Sequence, residues 1–88
     1  GALMSYLASN IKYPTISQET GSQGKVIVQF VVDRDGTISN PEVVRGVDPY
    51  LDKEAIRVIS SMPKWTPGVQ NGKKVRVKYT VPVSFRLQ

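Results

Sequence analysis

The sequence predicts an α+β fold: a three-stranded antiparallel sheet in the order 2-1-3, with helices on one face and elements in the order α-β-β-α-β. Three observations carry this. Val26, Val28, Phe30 and Val32 alternate, which is the period of a strand with one apolar face. Leu51, Ala55, Val58, Ile59 and Met62 fall at helical spacing and form one apolar stripe. Val75, Val77, Tyr79, Val81, Val83 and Phe85 alternate with Lys74, Arg76, Lys78, Thr80, Pro82, Ser84 and Arg86, a second strand with one apolar face.

The first segment, Leu3 to Ile11, spaces Leu3, Leu7 and Ile11 four apart, as a short helix does. Tyr13-Pro14 stops it, because a residue before proline avoids helical backbone. A helical turn from Pro14 to Thr20 follows, with Gly21 as its stop. The first strand spans Lys25 to Asp33. Ile27 and Val31 make its second face partly apolar, which suits a central position. Asp33-Arg34-Asp35-Gly36 is a turn, where Asp side chains bond the local backbone and Gly36 supplies a positive φ. Thr37 to Arg45 returns antiparallel, and Pro41 within it calls for a bulge or an edge. Asp48 caps the next helix and Pro49 takes its first position. Asp52 and Glu54 lie in its first turns, where the helix dipole favours acids. Pro63 ends it. A connection holding Trp65 and a turn at Asn71-Gly72 lead into the last strand.

A hairpin, a crossover helix and one more strand have few compact arrangements. The helix returns the chain, so the last strand runs antiparallel to the first and sits beside it. The last strand is then an edge. Pro82 agrees, since a ladder spares its missing N–H only there.

The 88 residues make one domain, residues 1–88, with Gly1-Ala2 consistent with a cloning remnant. No apolar run approaches the roughly 20 residues of a bilayer span. There is no cysteine and no histidine, which excludes a disulfide framework, a zinc finger and a His-based triad. The net charge of +5 is localised. Acids and bases cancel up to Gly72, and the excess is Lys73, Lys74, Arg76, Lys78 and Arg86. Charge gathered in one place constrains a partner more than charge spread evenly.

The acids read as turn, capping and surface carboxylates, so no catalytic constellation is expected, and no cofactor or metal. Asp33-Arg34-Asp35-Gly36 lacks the further ligands of a calcium loop. The basic row Lys74, Arg76 and Lys78 raises nucleic acid, but Tyr79 and Phe85 fall on the core face, away from any stacking role. Two readings of the last strand stand level on the residues alone. Its lysines protect an edge from unwanted pairing, or the edge receives an extended peptide with acidic flanks. Trp65 is read either as a plug of the helix–strand junction or as a partner contact.

The ordered set of residues resembles a known family. Tyr13-Pro14 follows the first helix. Gly24 precedes a Val-rich strand ending in Phe30-Val31-Val32, and Asp35-Gly36 makes the turn. Leu51-Asp52 and Glu54-Ala55 open a helix that closes at Met62-Pro63. Trp65, Pro67-Gly68 and Asn71-Gly72-Lys73 then lead into Val75 to Phe85. From about Leu7 onward this is similar to the C-terminal domain of TonB energy transducers, especially those of Bacteroidetes. The resemblance implies a periplasmic domain in a Gram-negative bacterium. Its parent would carry an N-terminal inner-membrane anchor and a Pro-rich spacer outside this chain, and would work with ExbB and ExbD. It also implies that the last strand pairs with the TonB box of TonB-dependent outer-membrane receptors, which import siderophores, cobalamin or glycans. Carried onto this sequence, the partner-binding edge is Lys74, Val75, Arg76, Val77, Lys78, Tyr79, Thr80 and Val81, with Trp65 as a further contact. Pro82 offers no donor, so the added strand is expected to lie mainly before it. The alternatives are a TonB-like domain ending a membrane-bound peptidase-type sensor, and a nucleic-acid-binding domain. An open edge also leaves room for a strand-exchanged homodimer.

Overall fold

A computed structural model describes residues 2–63 and 68–87. The order is α1 (Ala2–Asn10), α2 (Thr15–Thr20), β1 (Gly24–Val32), β2 (Ile38–Arg45), α3 (Pro49–Ser60), β3 (Gly68–Gln70), β4 (Lys73–Val75) and β5 (Val77–Phe85). The main sheet runs β2-β1-β5, antiparallel throughout, so the predicted order 2-1-3 is borne out. Among the described residues no helix is long and apolar enough to cross a membrane.

β1 is central because both of its faces carry apolar residues. Val26, Val28, Phe30 and Val32 are fully buried against Val81, Val83 and Phe85 of β5 and against Leu51, Ala55, Val58 and Ile59 of α3. Leu7 brings α1 into the same core, so the first helix packs on the domain. The opposite face of β1 is half-buried at Ile27, Gln29 and Val31.

The turn after β1 forms as expected. Gly36 donates its N–H to Asp33 O (2.9 Å), and Thr37 N–H reaches Asp35 Oδ1 (3.0 Å). Gly36 has φ 87°, a conformation that costs a residue with Cβ more than it costs glycine. β2 gains one extra residue at each of two places, between the partners of Ile27 and Val28 and between those of Gln29 and Val31. The second bulge holds Asn40, at φ 50°, and Pro41. Bulge and edge position both account for that proline.

Two carboxylates bind the helical layer together. Asp48 Oδ1 accepts the Leu51 N–H at the start of α3 (2.7 Å), and the buried Ser17 hydroxyl of α2 donates to Asp48 Oδ2 (3.0 Å). Glu54 departs from the expectation of a surface acid favoured only by the helix dipole. It is 9% exposed and accepts the Lys12 N–H (2.6 Å), Arg57 Nε (2.6 Å) and Arg57 Nη2 (2.7 Å). Arg57 Nη2 also donates to Asn10 O (3.0 Å). The pair therefore satisfies backbone groups where the chain leaves α1, a need that no helical pattern announces. Tyr6 adds a bond from its hydroxyl to Ser61 O (2.8 Å). Tyr13 meets Phe85 edge-on (5.6 Å between ring centres) and donates its hydroxyl to Ser22 O.

The last strand differs from expectation. The alternation from Val75 to Phe85 predicts one continuous strand, but the strand breaks at Arg76. Val75 belongs instead to a hairpin in which β4 pairs with β3, turning at Asn71 (φ 52°) and Gly72 (φ 75°). Two successive positive φ values make the two-residue turn that suits strand twist. Val75 and Val77 stay half-buried outside the core, which Tyr79 is the first of the alternating set to join, stacked on Phe30 at 6.0 Å.

Two stability outcomes follow. Replacing Phe30 by Ala empties a fully buried site in the central strand. It should cost about 3–5 kcal/mol, a large part of the roughly 5–15 kcal/mol of a whole domain. Urea unfolding measures it, and Val44→Ala, at an exposed position, should change little. Burial pushes the Glu54 carboxyl up, but the bonds from Arg57 and the Lys12 N–H outweigh it and hold the pKa below the ordinary value. A lowered folded-state pKa contributes stability that is complete above the unfolded-state value and is lost as pH falls through the folded one. Stability should therefore drop below about pH 4, and Glu54→Gln should flatten that drop in unfolding measured across pH.

Candidate functional site: the outer edge of β5

One bond sets the direction of every backbone group in the sheet. Asp33 donates its N–H to Thr37 O across the hairpin (2.8 Å). Successive residues of a strand turn their N–H and C=O to opposite sides. Val31, Gln29 and Ile27 thus face β2, and Val32, Phe30, Val28, Val26 and Gly24 face β5. The β1–β5 register is unbroken and pairs those five with Val77, Tyr79, Val81, Val83 and Phe85. These residues of β5 spend their backbone groups on β1. Lys78, Thr80, Pro82 and Ser84 turn theirs outward, away from the sheet.

Pro82 checks this assignment independently. It pairs with Ile27, whose backbone groups face β2, so its missing N–H interrupts no bond between β1 and β5. The outer edge then offers N–H donors at Lys78, Thr80 and Ser84 and carbonyl acceptors at all four positions, with a one-donor gap at Pro82. Among the described residues no strand lies on that side of β5.

The predicted edge residues divide into three groups. Val77, Lys78, Tyr79, Thr80 and Val81 are on β5. Lys78 and Thr80 are exposed, Val77 and Tyr79 are half-buried, and Val81 is in the core. Lys74 and Val75 lie on β4, in the hairpin. Arg76 sits at the junction, with Nε 2.8 Å from Asp33 Oδ1. Trp65 lies outside the described residues.

Sequence reasoning did not foresee the Arg76–Asp33 pair. The register explains it: Val32 opposes Val77, so Asp33 and Arg76 are the next residues beyond that end of the ladder. Asp33 is occupied on both oxygens, since Ser39 Oγ donates to Oδ2 (3.0 Å). This carboxylate ties the start of β2 to the strand break at Arg76. Ser84 was also missed, and the parity imposed by Pro82 could have found it. Among the described residues no three His, Cys, Asp or Glu side chains come together as a metal site would require.

The family model described as Gram-negative bacterial TonB protein C-terminal matches residues 9–87. The chain belongs to this TonB C-terminal family. Members are periplasmic, non-catalytic interaction domains of Gram-negative TonB proteins. Two solution structures of the Helicobacter pylori TonB C-terminal domain share the fold. The one covering residues 179–285 of that protein superposes with a TM-score of 0.73 at 24% identity, over 96% of this chain and 76% of the other. The one covering its residues 194–285 gives 0.73 at 23% identity, over 97% and 89%. No curated protein matches the chain.

Proposed function

We propose that this TonB C-terminal domain works in the periplasm by adding an extended segment, the TonB box of an outer-membrane receptor, to the outer edge of β5. Its parent, anchored in the inner membrane and working with ExbB and ExbD, would use this grip to couple the proton gradient to import of siderophores, cobalamin or glycans. The observation that carries the reading is the parity of β5. One set of backbone groups is committed to β1, and the other points outward without a neighbouring strand among the described residues.

The chemistry suits a grip that holds and releases. Each edge hydrogen bond is worth about 1 kcal/mol net. Force along the strands loads several at once. The inner ladder is backed by the core of Val81, Val83 and Phe85, so the outer ladder yields first. Lys78 favours a partner with acidic flanks and disfavours another basic strand. Arg76 contributes less than a bare charge count suggests, because Asp33 already holds it.

Proline substitution separates the two edges. Thr80→Pro deletes an outward N–H, in the manner that Pro82 already does, and leaves the pairing with β1 intact. A peptide carrying a TonB box from a receptor of the same organism should bind this variant about five- to tenfold more weakly, with thermal unfolding nearly unchanged. Tyr79→Pro deletes an inward N–H and should unfold the domain. Unchanged peptide affinity in the folded Thr80→Pro variant would sink the proposal.

A further inference from the structure

A second surface is built by α3 and the segment ahead of α2. Tyr50, Lys53 and Arg57 follow one another on α3 at i, i+3 and i+7, one stripe of the helix. The buried residues Leu51, Ala55, Val58 and Ile59 form the stripe that meets the sheet. Against the first stripe lie Lys12, Tyr13 and Pro14, and the two walls enclose a groove of about 390 Å³.

The charge in this groove is unbalanced in a specific way. Glu54 lines it, but both its oxygens are taken by Arg57 and the Lys12 N–H. Arg57 is spent on Glu54 and Asn10. Among the described residues the ammonium groups of Lys12 and Lys53 form no salt bridge, and both residues are exposed. The Lys12 charge acts on Glu54 from a distance, so the groove sets three cationic side chains, Lys12, Lys53 and Arg57, against the single carboxylate of Glu54.

Apolar surface accompanies the charge. Tyr50 is 49% exposed. Among the described residues every buried side-chain nitrogen or oxygen has a partner, so no buried donor there waits for a small anion. The recognition available is by exposed ammonium groups and aromatic surface, which suits a peptide more than an ion.

We propose that this groove docks an acidic peptide segment of a partner protein, with carboxylates on Lys12 and Lys53 and an apolar side chain on the Tyr50 ring. No residue of the groove belongs to β5, so the site is separate from the strand-adding edge. A partner could occupy both at once, and two weak linked contacts hold more tightly than either alone.

The test uses an acetylated, amidated hexapeptide alternating glutamate with leucine, titrated into the isotope-labelled protein. Amide shifts should gather on Lys12, Tyr13, Tyr50 and Lys53 and shrink as salt rises. The double variant Lys12→Glu/Lys53→Glu should bind at least about fivefold more weakly, and so should wild type with glutamine replacing glutamate in the peptide. Unshifted core amides of Val28 and Phe30 would show that the variant keeps its fold. Thr80→Pro should leave the groove shifts in place. Shifts confined to β5, no shifts, or undiminished binding by the double variant or the glutamine peptide would each overturn the proposal.

Discussion

A β-strand has two sets of backbone groups and can serve two neighbours, and in this domain β1 serves both. Its odd-numbered residues face β2 and its even-numbered residues face β5, as the Asp33–Thr37 bond requires. The rest of the architecture depends on that division. It makes β1 central, with Val26, Val28, Phe30 and Val32 fully buried beneath the helices. It sets the parity of β5 through nine unbroken pairs, from Gly24–Phe85 to Val32–Val77. The open edge is thus a consequence of the central strand. A one-residue slip between β1 and β5 would turn Tyr79 and Val81 out of the core and bring Pro82 to a position that needs an N–H.

The helical layer holds this arrangement from above. Asp48 ties α2 to α3, and Glu54 with Arg57 ties the end of α1 to α3. Burial works against both carboxylates, and in each case hydrogen bonds outweigh it. For Asp48 these come from the Leu51 and Tyr50 N–H groups and from the Ser17 and Ser22 hydroxyls. Tyr13 extends the contact to the last strand through Phe85. The segment that leads into the domain is therefore joined to the strand proposed to carry its partner. That connection matters for any device that transmits a pull.

Much of this was legible in the sequence because period and punctuation agreed. The alternation in β1, the stripe on α3, the Asp48-Pro49 start and the Asp33–Gly36 turn each had a local cause, and together they left one compact sheet order. The break at Arg76 was not legible. Val75 and Val77 continue the alternation across the break. The Asn71-Gly72 turn was the available signal, since that pair with strand-forming residues on both sides makes a hairpin. Glu54 was misread because the Lys12 N–H that it accepts, and the Asn10 carbonyl that its partner Arg57 bonds, are distant in sequence and are backbone groups, which leave no mark on residue type. The edge position of the last strand was legible through Pro82. Pro82 also implied the parity of the strand's outward donors, and the register agrees with it.

The most direct test of the open edge is amide hydrogen exchange along β5 in the unliganded protein. The N–H groups of Tyr79, Val81 and Val83, bonded to β1, should exchange slowly, close to the rate set by global opening. Those of Lys78, Thr80 and Ser84 should exchange at least about a hundredfold faster. An alternating pattern of this parity would establish that β5 presents one free set of backbone groups. Uniform protection along the strand, or fast exchange at Tyr79 and Val81 in place of Lys78 and Thr80, would contradict it.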